Sequence, residues 1–326
     1  MHTISRRTFA AFAGCTALGL AHAQTPFPSK PVVVVIPYAP GGPTDAMARV
    51  LATAIRPLLG QQPVLVENKP GAGANIGADY VARAEPDGHT IMFGTSAPLA
   101  INVSLYSKIG YDPVRSFAPI IHLGSLPNVL VVHPAVPAKN VQELIAYAKA
   151  QRGKLSFASS GSGASSHLAG VLFNQRAGTD IQHIPYKGTG PALNDLLGGQ
   201  VTMAFTDVLT ALPHIKAGKL RALGVTTAAR SRSLPGVPTV MEQGVPDYDV
   251  SVFFAIVAPA GTPRDVVQRL NGAFATALKQ PEVRQRLEDQ GLEIATDQRP
   301  EQLAAFIQSE VNKWRDVVKV SGARAD

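Results

Sequence analysis

Two short stretches carry residue types suited to holding an anion without a dedicated basic side chain. The first is Tyr38-Ala39-Pro40-Gly41-Gly42-Pro43-Thr44-Asp45, between a β-branched run and a segment with apolar residues at helical spacing. Gly41 and Gly42 let the backbone approach a ligand with no Cβ in the way. A helix start there presents unpaired N–H groups and the positive end of the helix dipole. The second is Ser159-Ser160-Gly161-Ser162-Gly163-Ala164-Ser165-Ser166, with the same order of strand, small-residue loop and helix. A helix start stabilises a carboxylate by about 0.3–1 kcal/mol, and each charged hydrogen bond by about 1.5–3 kcal/mol. Two facing loops of this kind reach roughly micromolar binding of a small carboxylate after ordering costs. Alone, either loop reads equally well as a tight turn with a helix cap.

Further polar residues fall at the ends of predicted strands: Thr95 and Ser96, Tyr186 and Lys187, and Thr206 and Asp207. Each also has an ordinary structural reading. Lys187 can be a solvated lysine, Asp45 can pair with Arg49 one helical turn on, and Asp207 can cap the helix that runs toward His214. If Asp45 and Asp207 both face a ligand, a bare dianion is repelled. That favours an amino- or hydroxy-dicarboxylate, or intervening water.

Covalent chemistry finds little support. There is no G-x-S-x-G elbow, no P-loop, and no tyrosine with a lysine four residues on. Ser166 and His167 are adjacent on a predicted helix, so their side chains diverge. The eight histidines form no H-x-H or H-x-x-x-H pair, so a local zinc motif is absent and no metal site is expected. Gly71-Ala72-Gly73-Ala74-Asn75-Ile76-Gly77 mimics a dinucleotide loop, but Glu67-Asn68-Lys69-Pro70 separates it from its strand. An NADP-dependent oxidoreductase is therefore the remote alternative, and the chain is read as not an enzyme.

The elements that must position these loops alternate. Val32–Ile36, Val64–Val66 and Thr90–Phe93 read as strands, with helices from Thr44 and over Asn75 to Ala84 between and after the first two. A second block repeats the logic. Strands fall at Ile120-Ile121, Val129–Val132, Leu155–Ala158, Thr202–Phe205 and Leu220–Val225, with helices at Val141–Ala150, near Ala164 to Arg176, and at Ala192–Leu197. Asn140 and Glu143 form a capping-box pattern at the first of these helices. Val250–Val257 is strand-like, and helices follow from Pro263, Pro281 and Pro300, each with proline near its first turn. Such alternation predicts parallel, doubly wound α/β sheets. Two blocks predict two lobes, with the chain changing lobe near 120–128 and 246–252. On this division residues 24–124 plus 250–326 form lobe 1 and 125–249 form lobe 2.

The chain has 326 residues, 45% of them hydrophobic and 16% charged, which supports a large core. Its formal charge of +7 is spread without any dense basic run, so a nucleic-acid footprint is not expected. The first residues read as an export signal. Ser5-Arg6-Arg7-Thr8-Phe9 is a charged start that resembles a twin-arginine signal and suits an ordinary Sec signal as well, Phe9 to Ala21 is apolar but short, and Ala21-His22-Ala23 is a small-x-small cleavage site. Cleavage after Ala23 removes Cys15, the only cysteine, and leaves a charge of +5. The expected product is periplasmic, monomeric and free of disulfides.

The motifs, taken in order, resemble the Bug family, the extracytoplasmic receptors of tripartite tricarboxylate transporters. The likeness runs through Ile36-Pro37-Tyr38-Ala39-Pro40-Gly41-Gly42-Pro43-Thr44-Asp45, Glu67 to Gly77, Pro86-Asp87-Gly88, and His167-Leu168-Ala169-Gly170. It continues through Pro185-Tyr186-Lys187-Gly188, Asp195 to Val201, Leu220 to Val225 and Leu234 to Thr239. The resemblance implies a Venus-flytrap fold, a two-lobe periplasmic binding protein of type II-like form with two crossovers and no cofactor. It implies delivery of a small carboxylate to a membrane permease; supply to a sensor kinase is the alternative. It also implies a cleft lined by Gly41, Gly42, Thr44, Asp45, Thr95, Ser96, Ser160, Gly163, Ser165, Tyr186, Lys187 and Asp207, with Tyr38 beside the first loop. Pro43 departs from the small residue common in the family and removes one N–H donor.

Overall fold

The computed structural model describes residues 27–186 and 188–325; the predicted export signal with Cys15, and Lys187, lie outside them. The chain enters through β1 (Val32–Ile36), where four of the five residues are buried, as in a strand covered on both faces. α1 (Pro43–Ile55) buries Met47, Leu51 and Ile55. β2 (Val64–Asn68), α2 (Asn75–Ala82) and β3 (Thr90–Thr95) complete the first block. A π-helical turn over Ala97–Ile101 then runs into α3 (Asn102–Leu105). After β4 (Phe117–Val132) come α4 (Val141–Ala150), β5 (Ser156–Ser159), α5 (Ser165–Ala177), β6 (Gln182–Pro185) and α6 (Thr189–Leu197). β7 (Met203–Asp207), α7 (Val208–Lys216) and β8 (Arg221–Val225) close the second block. β9 (Ser251–Pro259), α8 (Arg264–Lys279), α9 (Pro281–Glu288), β10 (Glu293–Ile294) and α10 (Pro300–Ser321) finish the chain.

The strands form an α/β architecture of two lobes. In one, β1 lies between β2 and β3, all parallel; in the other, β5 lies between β6 and β7, again parallel. The expectation of wholly parallel sheets needs correction, because β9 runs antiparallel to β3 and to β4, and β4 runs antiparallel to β7 and β8. The cause is topological. A strand arriving from the other lobe begins at the edge where the parallel strands end, so it must run against them.

Ile120-Ile121 and Val129–Val132, separate strands by sequence, belong to the single 16-residue β4. Phe117 to Pro127 pairs with β9, and Asn128 to Val132 pairs with β7, so the strand changes partners between Pro127 and Asn128. Thr226 ties this crossing together. Its N–H donates to the Asn128 carbonyl (2.9 Å), and its Oγ1 lies 3.0 and 2.6 Å from the carbonyl oxygens of Asn128 and Val250.

One buried apolar cluster runs from Met92 and Leu105 through Phe157 and Phe205 to Trp314. It is continuous across both blocks because α10 packs against α3 and β4 and also against α5.

Candidate functional site

The parallel strands β1 and β3 of one block and β5 and β7 of the other end at the facing edges, where ligands of open α/β sheets bind. A cavity of about 390 Å³ lies there, within the range of small-molecule sites. Pro43 at the start of α1 lines it from the first loop, and Ser160 and Ser165 line it from the second. Asp207 at the end of β7 also lines it, with Leu126 and Asn128 of β4 and Val252 of β9. The two small-residue loops therefore share one crevice. A larger recess of about 710 Å³ follows the edge strand β2 on the outer flank and collects none of these loops.

Each helix start follows from its sequence. α1 begins at Gly42 as N-cap with Pro43 at its first position, and α5 begins after Ala164; neither N-cap side chain supplies a cap. α6, whose first residue Thr189 also lines the cavity, follows Gly188 and is likewise uncapped. By contrast, Asp207 caps α7, accepting from the Thr210 amide at 2.7 Å and from its hydroxyl at 2.5 Å. The ordinary reading of Asp207 as an N-cap is thus correct, although the residue also borders the cavity.

Asp45 is buried within α1 and has four donors around it. Arg49 donates through Nε (2.9 Å) and a terminal nitrogen (3.0 Å), Asn68 through Nδ2 (3.0 Å), and Gly41 through its amide (3.1 Å). The Arg49 bond, followed by those from Gly41 and Asn68, outweighs burial and holds the carboxyl down at about 2. Asp45 therefore presents no free charge to a ligand, and the premise that two aspartates repel a dianion is corrected to one. The Asn68 amide also donates to the Tyr38 carbonyl (3.0 Å), which fixes the first loop to β2.

The remaining predicted residues divide by lobe. Tyr38 and Thr95 share a hydrogen bond of 2.6 Å across the ends of β1 and β3, and burial pushes the Tyr38 phenol up to about 12. Ser96 is buried beside them at the π-helical turn, while Gly41 is exposed and Thr44 half-buried in the first loop. Tyr186 is committed elsewhere, its hydroxyl donating to Asp195 at 2.7 Å. The Ser160 amide donates to the Ser166 hydroxyl at 3.0 Å, and the two hydroxyls lie 2.9 Å apart.

Two histidines brace the second loop from below. Gly163 donates its amide to His167 Nδ1 (3.0 Å), and Ser159 Oγ lies 2.7 Å from His183 Nε2. The rings stack at 3.8 Å, and burial, the first cause for both, pushes each down to about 4. Neutral at pH 7, they position the loop.

The dinucleotide-like glycines have a packing explanation. A Cβ on Gly77 would lie 2.8 Å from the Pro37 backbone and 2.9 Å from the Lys69 carbonyl oxygen, so α2 needs glycine to approach β1. Asn102 and Tyr111 both donate to Asn75 Oδ1, at 2.8 and 2.9 Å, and occupy that side chain.

Although Asn68 and Thr206 fall within stretches it singled out, sequence reading did not place Asn68, Thr189, Asn128 or Thr206 in the site. The last two are 2% and 4% exposed, and both line the cavity. Asn128 Nδ2 and Thr206 Oγ1 find no hydrogen-bond partner among the described residues. Leaving such a group unpaired costs about 1–3 kcal/mol. No local motif marks them, because an Asn and a Thr inside strands look like any others.

Two α/β lobes joined by crossing strands, with one cavity at their facing strand ends, define the class of two-lobe solute-binding proteins. The profile described as "Tripartite tricarboxylate transporter family receptor" matches residues 47–323, and the chain belongs to that family. It is 40% identical over 301 residues to Protein BugT of Bordetella pertussis, covering 91% of each chain. Among solved structures it resembles a protein of R. palustris with adipate (34% identity, TM-score 0.74, 91% of this chain and 99% of that one). It also resembles MatC from Rhodopseudomonas palustris with bound malate (36% identity, TM-score 0.71, 90% and 100%). Among the described residues, no helix is long and apolar enough to cross a membrane.

The Asp45 network predicts a pH response. The carboxyl sits at about 2 against an ordinary 3.8, so its contribution is fully present above about pH 4 and disappears as pH falls toward 2. After allowance for the half-exposed Arg49, that contribution is about 1–2 kcal/mol. Arg49→Met should therefore unfold at higher pH than the native chain when circular dichroism is followed from pH 5 to 2. Superimposable acid transitions would remove Arg49 from this role.

Proposed function

We propose that this chain is an exported, periplasmic receptor that captures a small dicarboxylate between its lobes and delivers it to the permease of a tripartite tricarboxylate transporter. The observation that carries this reading is the single cavity bordered by Pro43 at the start of α1 and by Ser160 and Ser165 at the start of α5. Main-chain amides at these helix starts favour negative charge. The malate and adipate of two relatives supply the ligand class. The task is binding and release by a monomer, without a chemical step.

Lobe 1 comprises 24–124 plus 250–326 and lobe 2 comprises 125–249, with bending at the β4 and β9 crossings. A ligand that touches both loops stabilises the closed state through contacts that only closure provides. Gly42, Thr44 and Asp45 contribute mainly through their backbone, Gly41 shapes the loop with its amide held by Asp45, and Lys187 adds positive charge beyond the second loop. With Asp45 neutralised, only Asp207 disfavours an unsubstituted dianion, so a hydroxyl or ammonium on the ligand gives a smaller advantage than two free aspartates would.

Calorimetric titration of the mature chain with malate, succinate, adipate, aspartate, citrate and nicotinate is the test. One dicarboxylate should bind at a single site with micromolar or tighter affinity, about 8 kcal/mol. Silence toward every carboxylate would sink the proposal.

A further inference from the structure

Three side chains tie the second loop by accepting its amides. Ser166 Oγ accepts from Ser160 (3.0 Å), Ser159 Oγ from Gly161 (3.2 Å), and His167 Nδ1 from Gly163 (3.0 Å). The serine oxygens remain acceptors at any pH. The His167 bond needs Nδ1 bare, which fixes neutral His167 as the Nε2–H tautomer. Ser159 donates to the Gly161 carbonyl (3.2 Å), so His183 Nε2 is left to donate to Ser159 (2.7 Å). The two rings stack at 3.8 Å, which resists a charge on both. Phe157 of β5 stacks on His183 at 5.0 Å, and Leu105 of α3 packs at Gly163. The titratable groups on neighbouring elements are engaged elsewhere. Tyr248 donates to the Ala169 carbonyl, Asp195 of α6 accepts from Tyr186, Glu310 of α10 pairs with Lys313, and Arg176 of α5 pairs with Asp247. Among the described residues, burial alone pushes His167 down, and burial followed by the charge of His167 pushes His183 down, each to about 4. The first proton therefore goes to His167.

We propose that His167 is a positioning residue that doubles as a proton-operated release: with Nδ1 bare it holds the Gly163 turn in the capturing shape, and a proton there expels the Gly163 amide and frees the loop. The proton sets an N–H against the Gly163 N–H, donor facing donor. Gly163 lies two residues before Ser165, which lines the cavity, so a shift of the turn disturbs the start of α5. A proton on His183 would leave the loop tied, because its Nε2 already donates. The device rests on the receptor reading and deepens it, since ligand and proton then oppose each other through one residue. The hold is complete above about pH 5 and is lost as pH falls through about 4.

Nitrogen NMR of the histidine rings in the ligand-free chain tests the geometry and needs no variant. His167 should be the Nε2–H tautomer at pH 7, and its titration near pH 4 should move the Gly163 amide resonance with the same midpoint. An Nδ1–H tautomer, or a Gly163 amide that ignores the titration, would overturn the device and leave the receptor reading intact. Calorimetry with malate, succinate and adipate tests the release. His167→Phe keeps a flat ring against His183 without an acceptor, and should weaken the acid that the native chain binds by about 10-fold at pH 7. His167→Asn sets an amide oxygen near the place of Nδ1 with nothing to titrate, and should recover most of that loss. Between pH 7 and 3.5 the native affinity should fall about 4-fold further than that of His167→Asn, since protonation of the acid itself is common to both. Circular dichroism at each pH confines the comparison to folded chains. Parallel pH curves, or an Asn variant no better than Phe, would overturn the release. A native chain that binds none of the three acids would bring down the receptor reading, and the release with it.

Discussion

Gly163→Val should abolish carboxylate binding by the mature protein while the chain remains folded. Gly163 has φ +78°, a conformation that a β-branched residue adopts only under strain of about 1–3 kcal/mol. A Cβ there would lie 2.6 and 3.1 Å from the two methyl groups of Leu105, which belongs to α3 of the other lobe. Leu105, itself buried, or the loop must give way, and the positive φ that valine resists strains the loop in either case. A shift of this kind displaces the start of α5 relative to Pro43, and affinity should fall by about 100-fold or more. Gly153→Val is the matched control. Gly153 has φ +72° with nothing within 4 Å of an added Cβ, so valine there imposes similar backbone strain away from the cleft. Calorimetry and thermal melts of both variants separate strain from site: the control should lose stability and keep its ligand. Native affinity in Gly163→Val, or lost affinity in Gly153→Val, would remove the second loop from the binding account.

The second large effect concerns α10. Trp314 is fully buried, and its indole N–H donates to Glu310 Oε2 at 2.9 Å. Burial raises the Glu310 carboxyl against the opposing pull of Lys313 and Trp314. Trp314→Ala empties a large volume in the cluster shared by both lobes and should cost about 3–5 kcal/mol in urea unfolding followed by circular dichroism. Trp314→Phe, which keeps most of the packing, should cost clearly less. An alanine variant within about 1 kcal/mol of native would mean that α10 is not a central part of the core.

Local order was legible in the sequence where local physics decides. The β-branched run at Val32–Ile36 is a doubly covered strand, Asn140 caps α4 by accepting from the Glu143 amide at 2.8 Å, and Pro281 and Pro300 open their helices. The two small-residue loops were legible for the same reason, since positive φ at Gly41 and Gly163 excludes most other residues. Strand direction was not. Whether β4 and β9 run with or against their neighbours depends on which edge a returning chain reaches.

The amino-acid order alone determined the helix starts, the glycine turns and the covered strands, because each is settled by residues a few positions apart. Only the tertiary structure decided which polar groups retain an open valence. Asp45 and Asp207 carry the charges that a sequence reading notices, yet Arg49, Asn68 and Thr210 engage them. Asn128 and Thr206, which carry no charge to draw the eye, keep buried atoms without a partner among the described residues. Hydrogen-bond satisfaction is a property of neighbours brought from distant parts of the chain, and no spacing rule encodes it.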